Sequence, residues 1–378
     1  MSTAGKQVPK LCGKGAGAEA GAVAGITLAV RRRSVLLSQG LWNALCSRPL
    51  WSAIRGRARD RFVGRLRYSS SPFFVFYLKE ECMMKKTVFT GAATAIVTPF
   101  KGNEVDYDAF GKLIDWQIEE GIDGIVVTGT TGEACTLTDG EHKEVIRYCV
   151  ERVRGRVPVI AGTGSNDTAY AVNLTRYACE AGADAMLLVT PYYNKATQKG
   201  LVTSFSVIAD ASDKPCILYN VPTRTGCNIL PETAAALAEH PNIVGIKEAS
   251  GNISQIARLA ALCGDKMDIY SGNDDEIVPI LSLGGKGVIS VMSNILPKET
   301  SRLCKCYFEG DTREATRLQL KYVPLVGALF CEVNPIPVKA ALAAMGRCEN
   351  ALRLPLTPME AKNVPPMLEL MRAAGLAV

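Results

Sequence analysis

From Thr87 onward, short runs of β-branched and aliphatic residues alternate with amphipathic stretches of roughly ten to fifteen residues, and few folds accept that pattern. The β-rich runs fall at residues 93–98, 124–128, 157–161, 185–189, 216–219, 243–247, 267–271 and 287–291. Helical periodicity occupies the intervals, clearest at 107–120, 140–153, 169–181 and 231–239. Repeated strand–helix units predict an α/β chain with a parallel sheet. Eight of them within about 200 residues fit a closed (β/α)8 TIM barrel better than an open doubly wound sheet. Further helices are expected at 298–308, 312–330, 335–344 and 358–374. The reading is a barrel catalytic domain over 84–297 followed by a C-terminal helical region over 298–378.

Residues 1–83 have another character. They carry 14 Lys and Arg against four acidic residues, whereas the remaining 29 basic and 33 acidic residues leave the rest mildly acidic, although the whole chain is formally +6. The positive charge is therefore a property of the extension, not of the expected barrel. Arg31, Arg32 and Arg33 follow the apolar stretch 21–30 rather than precede it, which is unlike a secretory signal. An upstream start is the first reading, because Met83-Met84-Lys85-Lys86 looks like a natural beginning. An organelle transit peptide is the second, and a nucleic-acid-binding arm is third, because aromatics do not interleave the basic residues. No apolar run reaches the length of a membrane span, and a cytoplasmic location is expected. The 13 cysteines fall mostly inside apolar runs, as Cys149, Cys216 and Cys263 do, and read as reduced, buried thiols. With His142 and His240 the only histidines and no metal-ligand spacing, no metal site is expected.

Barrel chemistry sits at the C-terminal ends of the strands. The second strand runs into Thr128-Gly129-Thr130-Thr131-Gly132-Glu133, whose hydroxyls and backbone N–H groups could hold a small carboxylate, or which could be ordinary turn chemistry. The fourth ends in Pro191-Tyr192-Tyr193-Asn194, adjacent aromatics that could equally be interface packing. The fifth ends in Tyr219-Asn220-Val221-Pro222-Thr223-Arg224, a phenol able to shuttle protons and a guanidinium suited to a second carboxylate. Rim packing and a solvated loop charge are the plainer alternatives. The sixth gives the sharpest signal: Lys247 follows the apolar run 243–246, and alternation points it into the barrel. Withdrawal from water favours the neutral amine that attacks carbonyls. Gly284-Gly285-Lys286-Gly287 raises the possibility of a phosphate site, but these glycines precede the eighth strand, at the wrong end of the barrel, and read as a turn.

Taken together, Gly129-Thr130-Thr131-Gly132-Glu133, Tyr219-Asn220-Val221-Pro222 and Ile246-Lys247-Glu248 make the chain, from about Met84 onward, resemble the dihydrodipicolinate synthase and N-acetylneuraminate lyase family. Arg224 favours the synthase branch over the sialic-acid lyases. The resemblance implies that Lys247 forms an imine with pyruvate, whose enamine adds to aspartate 4-semialdehyde on the diaminopimelate route to lysine, with no cofactor. It implies further that Tyr219 moves protons, that Thr130 links it to Tyr193 of a neighbouring subunit, and that Thr131 binds the pyruvate carboxylate. Arg224 would bind the carboxylate of the semialdehyde, and the Ile289 carbonyl would lie near the reacting centre. A homotetramer built from dimers is implied as well. The positions of a lysine-inhibition site would be Ala134, Asp139, His142, Asn166, Tyr170 and Tyr192. Tyr170 and Asp139 depart from the lysine-sensitive pattern, so weak or no inhibition is expected. The rival readings are an aldolase cleaving sialic acid or a 2-keto-3-deoxy sugar acid, and a non-catalytic barrel serving as an interaction protein.

Overall fold

The computed structural model describes residues 85–378, together with two short upstream strands, Val35–Leu37 and Phe74–Phe76, which pair antiparallel. The chain divides into two units, Met1–Met83 and Met84–Val378. The expectations for the basic extension fall on residues outside those described.

In the second unit eight parallel strands close in chain order into a barrel. They are β1 (Gly91–Ala95), β2 (Gly124–Val127), β3 (Val159–Gly162), β4 (Ala185–Val189), β5 (Cys216–Asn220), β6 (Ile243–Glu248), β7 (Asp268–Ser271) and β8 (Gly287–Ser290). The helices that follow them are α1 (Tyr107–Glu119), α2 (Asp139–Val153), α3 (Thr168–Glu180), α4 (Gln198–Asp210), α5 (Pro231–Leu237), α6 (Ile253–Cys263), α7 (Ile277–Ser282) and α8 (Pro297–Phe308). The (β/α)8 reading therefore holds. The helix at α8, which the sequence reading grouped with the C-terminal region, packs on β1 and completes the eighth unit. Beyond it lie α9 (Thr312–Leu329), α10 (Ile336–Ala344) and α11 (Val364–Ala373).

Strand alternation makes two cores. The inner one gathers Ala93, Ala95, Val126, Ile160, Leu187, Ile217, Tyr270 and Ile289, and the larger outer one fills the space between strands and helices. Eight strands leave an interior just wide enough for side chains to fill, and branched aliphatics with Tyr270 fill it beside the alanines of β1. Gly287 makes the closest approach: a Cβ there would lie 1.8 Å from the Gly91 carbonyl oxygen, where β8 meets β1. Gly284 and Gly285, before β8, form a turn, their N–H groups donating to the Leu281 and Ile280 carbonyls at 3.0 Å each, as the turn reading expected. At that end the Phe89 and Tyr270 rings stack at 4.4 Å, and the Tyr270 hydroxyl donates to the Phe89 carbonyl at 2.9 Å.

Strand and helix ends differ from expectation for local reasons. β1 stops at Ala95 rather than residue 98, and the Val97 N–H is taken by Asn294 Oδ1 at 3.1 Å. The last helix begins at Val364 rather than 358, with Pro365 and Pro366 in its first turn, where a missing N–H costs nothing. α2 begins on a capping box in which the Thr138 hydroxyl accepts from Glu141 N and the Glu141 carboxylate accepts from Thr138 N. Cys149, Cys216 and Cys263 are buried free thiols, and burial pushes each thiol pKa up.

Candidate active site

Lys247 lies near the C-terminal end of β6 and is only 5% exposed. In register it faces Tyr219 on β5 and Tyr270 on β7, and its Nζ stands 4.3 Å from the centre of the Tyr219 ring. Alternation sends the next residue to the other side of the sheet. There the Glu248 carboxylate accepts from Asn220 Nδ2 at 3.0 Å and from Ser250 N at 2.8 Å, and burial raises its pKa. Asp274, in the turn after β7, is a buried carboxyl within the electrostatic reach of Lys247. Its Oδ2 accepts from the N–H groups of Val291 and Met292 at 3.0 and 2.8 Å, which holds the chain leaving β8, just past Ile289.

The turn after β2 is set by its backbone. Thr128 and Glu133 both adopt positive φ, 53° and 52°, an uncommon conformation for side-chain-bearing residues. A Cβ on Gly162 would lie 2.2 Å from the Thr128 carbonyl oxygen, so glycine lets β3 approach the turn. Within the turn Thr130 is half-buried, whereas the Thr131 hydroxyl is buried and accepts from Asn334 Nδ2 at 3.0 Å. Glu133 pairs with Lys339 of α10, with side chains 1% and 0% exposed, and its Oε2 also accepts from Arg353 N at 3.3 Å. Burial pushes the Lys339 amine pKa down, while the Glu133 carboxylate opposes that shift. Lys339 Nζ and the Arg353 guanidinium lie 4.0 and 4.5 Å from the Phe100 ring centre. Arg353 also grips Glu141 with both nitrogens, at 2.8 and 2.6 Å, which holds that carboxyl down to about 2.

A cavity of about 490 Å³ opens at this end of the barrel, with Thr130, Tyr219 and Arg224 on its wall. Ala134, His142, Tyr170 and Tyr192 line the same space, so most of the expected lysine positions share one cavity with the expected reaction residues. Lys247 and Thr131 are not on the wall, but Lys247 Nζ is 4.3 Å from the ring centre of Tyr219, which is. Arg224 is exposed, and no carboxylate among the described residues pairs with it. His142 Nε2 is 2.9 Å from the Gly162 carbonyl, so this nitrogen carries the proton, and burial lowers the ring's pKa. Asp139 and Asn166 stand outside the wall. Asp139 bonds Tyr170 and pairs with Lys143 at 2.7 Å, and the Asn166 backbone bonds the Tyr192 phenol, whose pKa burial raises. Tyr193 is 92% exposed, has φ of 69° and does not line the cavity. Within one chain the expected Thr130–Tyr193 link is therefore not formed; the expectation had drawn it from a neighbouring subunit.

Four residues were missed by sequence reasoning: Asp274, Asn334, Lys339 and Arg353. The last three come from the C-terminal region and fasten the β2 turn. The only advance signal was Glu133 itself, an acidic residue closing a glycine-rich turn with no basic residue nearby to pair with it.

The sequence profile of the Dihydrodipicolinate synthetase family matches residues 88–374. The chain belongs to this family. Among its relatives, the 4-hydroxy-tetrahydrodipicolinate synthase of Lachnoclostridium phytofermentans is 57% identical over 291 residues, covering 76% of this chain and 99% of the relative. That of Acetivibrio thermocellus is 55% identical over 293 residues, covering 78% and 100%. Among solved structures, a chloride-inhibited dihydrodipicolinate synthase from Acinetobacter baumannii, complexed with pyruvate, superposes with a TM-score of 0.75 at 46% identity. It covers 77% of this chain and all of that one. The family resemblance carried by Lys247, Tyr219 and the β2 turn is thereby borne out over the whole barrel and its C-terminal helices.

Proposed function

We propose that this chain is a Schiff-base lyase that condenses pyruvate with aspartate 4-semialdehyde, the 4-hydroxy-tetrahydrodipicolinate synthase reaction of the diaminopimelate route to lysine. The observation that carries the reading is Lys247 held 4.3 Å from the Tyr219 ring at the reactive end of a barrel 55–57% identical to synthases of that name.

The Lys247 amine attacks the keto carbon of pyruvate, and loss of water leaves a protonated imine. That imine is the electron sink: loss of a methyl proton gives an enamine, whose carbon bonds the aldehyde carbon of the second substrate. Tyr219 supplies and removes protons in these steps. Thr130 connects it to Tyr193 of a neighbouring subunit, which makes a dimer the smallest complete site and a tetramer of two dimers the expected assembly. Thr131 and nearby backbone N–H groups take the pyruvate carboxylate, Arg224 takes that of the semialdehyde, and the Ile289 carbonyl borders the reacting carbons. Arg224 is exposed and pairs with no carboxylate among the described residues, which supports its role, since a guanidinium committed to a protein carboxylate would be poorly placed to take another.

Ala134, His142, Tyr170 and Tyr192, with Asp139 and Asn166 behind them, form a poor lysine site because the acidic partner for a ligand ammonium is lacking at Tyr170. Residues 1–83 lie outside the catalytic machinery, and the enzyme works in the cytoplasm; among the described residues no helix is long and apolar enough to cross a membrane. Removing residues 1–82 should leave folding and activity unchanged.

The test is reduction with borohydride in the presence of pyruvate, followed by peptide mass mapping. A single adduct on Lys247 is expected. An adduct on another lysine, or none, would overturn the mechanism.

A further inference from the structure

Asn334 belongs to the segment joining α9 to α10, outside the barrel strands, yet its amide reaches the β2 turn. Its Nδ2 donates to Thr131 Oγ1 at 3.0 Å, and the two residues are 4% and 3% exposed. A hydroxyl has one proton and two acceptor lone pairs. The Asn334 N–H fills one lone pair, so the Thr131 proton is turned elsewhere, and among the described residues no acceptor receives it. A buried donor left without an acceptor is costly unless a ligand supplies one. Asn334 Oδ1 is also buried and unpartnered. An aliphatic side chain would avoid that cost, so packing alone does not account for an asparagine here.

The segment that carries Asn334 is itself fixed. Five residues on, Lys339 pairs with Glu133 in the same turn, while Lys339 N donates to the Pro335 carbonyl at 3.0 Å and Ile336 N to the Val333 carbonyl at 2.8 Å. The turn is thus gripped at Thr131 and at Glu133 from one short piece of chain.

We propose that Asn334 is a positioning residue: by donating to Thr131 Oγ1 it commits the Thr131 proton to the carboxylate of the incoming 2-keto acid. This rests on the reading of Thr131 as a carboxylate ligand. Asn334 governs the affinity for the first substrate and leaves that for the second alone.

The experiment compares full-length wild type with Asn334→Asp and Asn334→Ala. The near-isosteric aspartate offers acceptors where the amide donated, so it claims the Thr131 proton and repels a carboxylate. Two quantities are read: the pyruvate concentration giving half-maximal borohydride trapping on Lys247, and KM for each substrate. Asn334→Asp should raise the pyruvate values at least about tenfold, the weight of one hydrogen bond to a charged group. Asn334→Ala should raise them less, because the hydroxyl is then free to rotate, and KM for the semialdehyde should stay within about twofold in both. A general structural defect would instead move both KM values and kcat together, and that result overturns the proposal. So does pyruvate saturation of Asn334→Asp that superimposes on wild type. If Asn334→Asp fails to fold, Asn334→Ala decides alone: an unchanged pyruvate KM overturns the proposal. No Lys247 adduct in wild type would overturn the functional reading and this inference with it, whereas a normal wild-type adduct with unshifted variants overturns this inference only.

Discussion

Replacing Lys339 with methionine keeps the side chain's length and apolar stem but deletes the cation facing Glu133. Both side chains are essentially inaccessible, 0% and 1% exposed, so water cannot re-solvate the carboxylate left behind. What remains to it is the Arg353 N–H at 3.3 Å, a long and partial compensation, and through space the Arg353 guanidinium, which is already bonded to Glu141. Removing one partner of a buried ion pair costs about 3–5 kcal/mol. In a folded body of this size each kcal/mol moves Tm by roughly 2 °C, so the variant should melt roughly 6–10 °C below wild type. The double variant Glu133→Gln, Lys339→Met removes the stranded charge while keeping an acceptor for Arg353 N, and should recover at least half of that loss. Differential scanning calorimetry at low and high salt is the assay. The deficit should change little with salt, because a pair buried this deeply is barely screened. A single variant melting within 1 °C of wild type would refute the reasoning, as would a double variant less stable than the single.

Tyr219→Phe should keep the fold and the Lys247 adduct but lower kcat roughly a hundredfold or more, the usual weight of a general acid–base group; stopped-flow turnover within threefold of wild type would contradict this. Arg224→Ala should lower kcat/KM for the semialdehyde roughly tenfold to a hundredfold while sparing pyruvate trapping, and equal losses for both substrates would remove its assignment. Arg353 holds the Glu141 carboxyl down to about 2, below its unfolded value, so the folded state gains stability that is fully present above about pH 4.3 and is lost as pH falls towards 2. Glu141→Gln should therefore show a shallower loss of denaturation midpoint across that window, and parallel curves would dismiss the pairing. Steady-state rates should be insensitive to submillimolar lysine, and half-inhibition in that range would show that Tyr170 does not weaken the site.

The barrel was legible because it is written locally: each β-rich run and each amphipathic stretch announces itself within a few residues. Lys247 was legible for a related reason, since strand alternation alone says which side of the sheet a residue takes. Lys339 illustrates the opposite case. In an alanine-rich helix a lone lysine reads as a solvated charge, and only the fold brings Glu133, 206 positions earlier in the chain, against it. Asn334 and Arg353 were hidden in the same way, one in a proline-flanked turn and the other in a loop. Adjacent tyrosines were harder still: within one chain Tyr192 lines the cavity whereas Tyr193, at positive φ, is 92% exposed, and side-chain chemistry alone does not distinguish the two.

The clamp on the β2 turn also sets an order of events during synthesis. Thr131 is bonded by a residue 203 positions later, and Glu141 by one 212 positions later. A ribosome that has released all eight strands has still not delivered α10 or Arg353. The nascent chain can close its barrel and bury Lys247 while the β2 turn still lacks Asn334, Lys339 and Arg353. If the β2 turn binds the first substrate as proposed, competence for it arrives last, and truncation near the C-terminus should damage the active site before it damages the barrel.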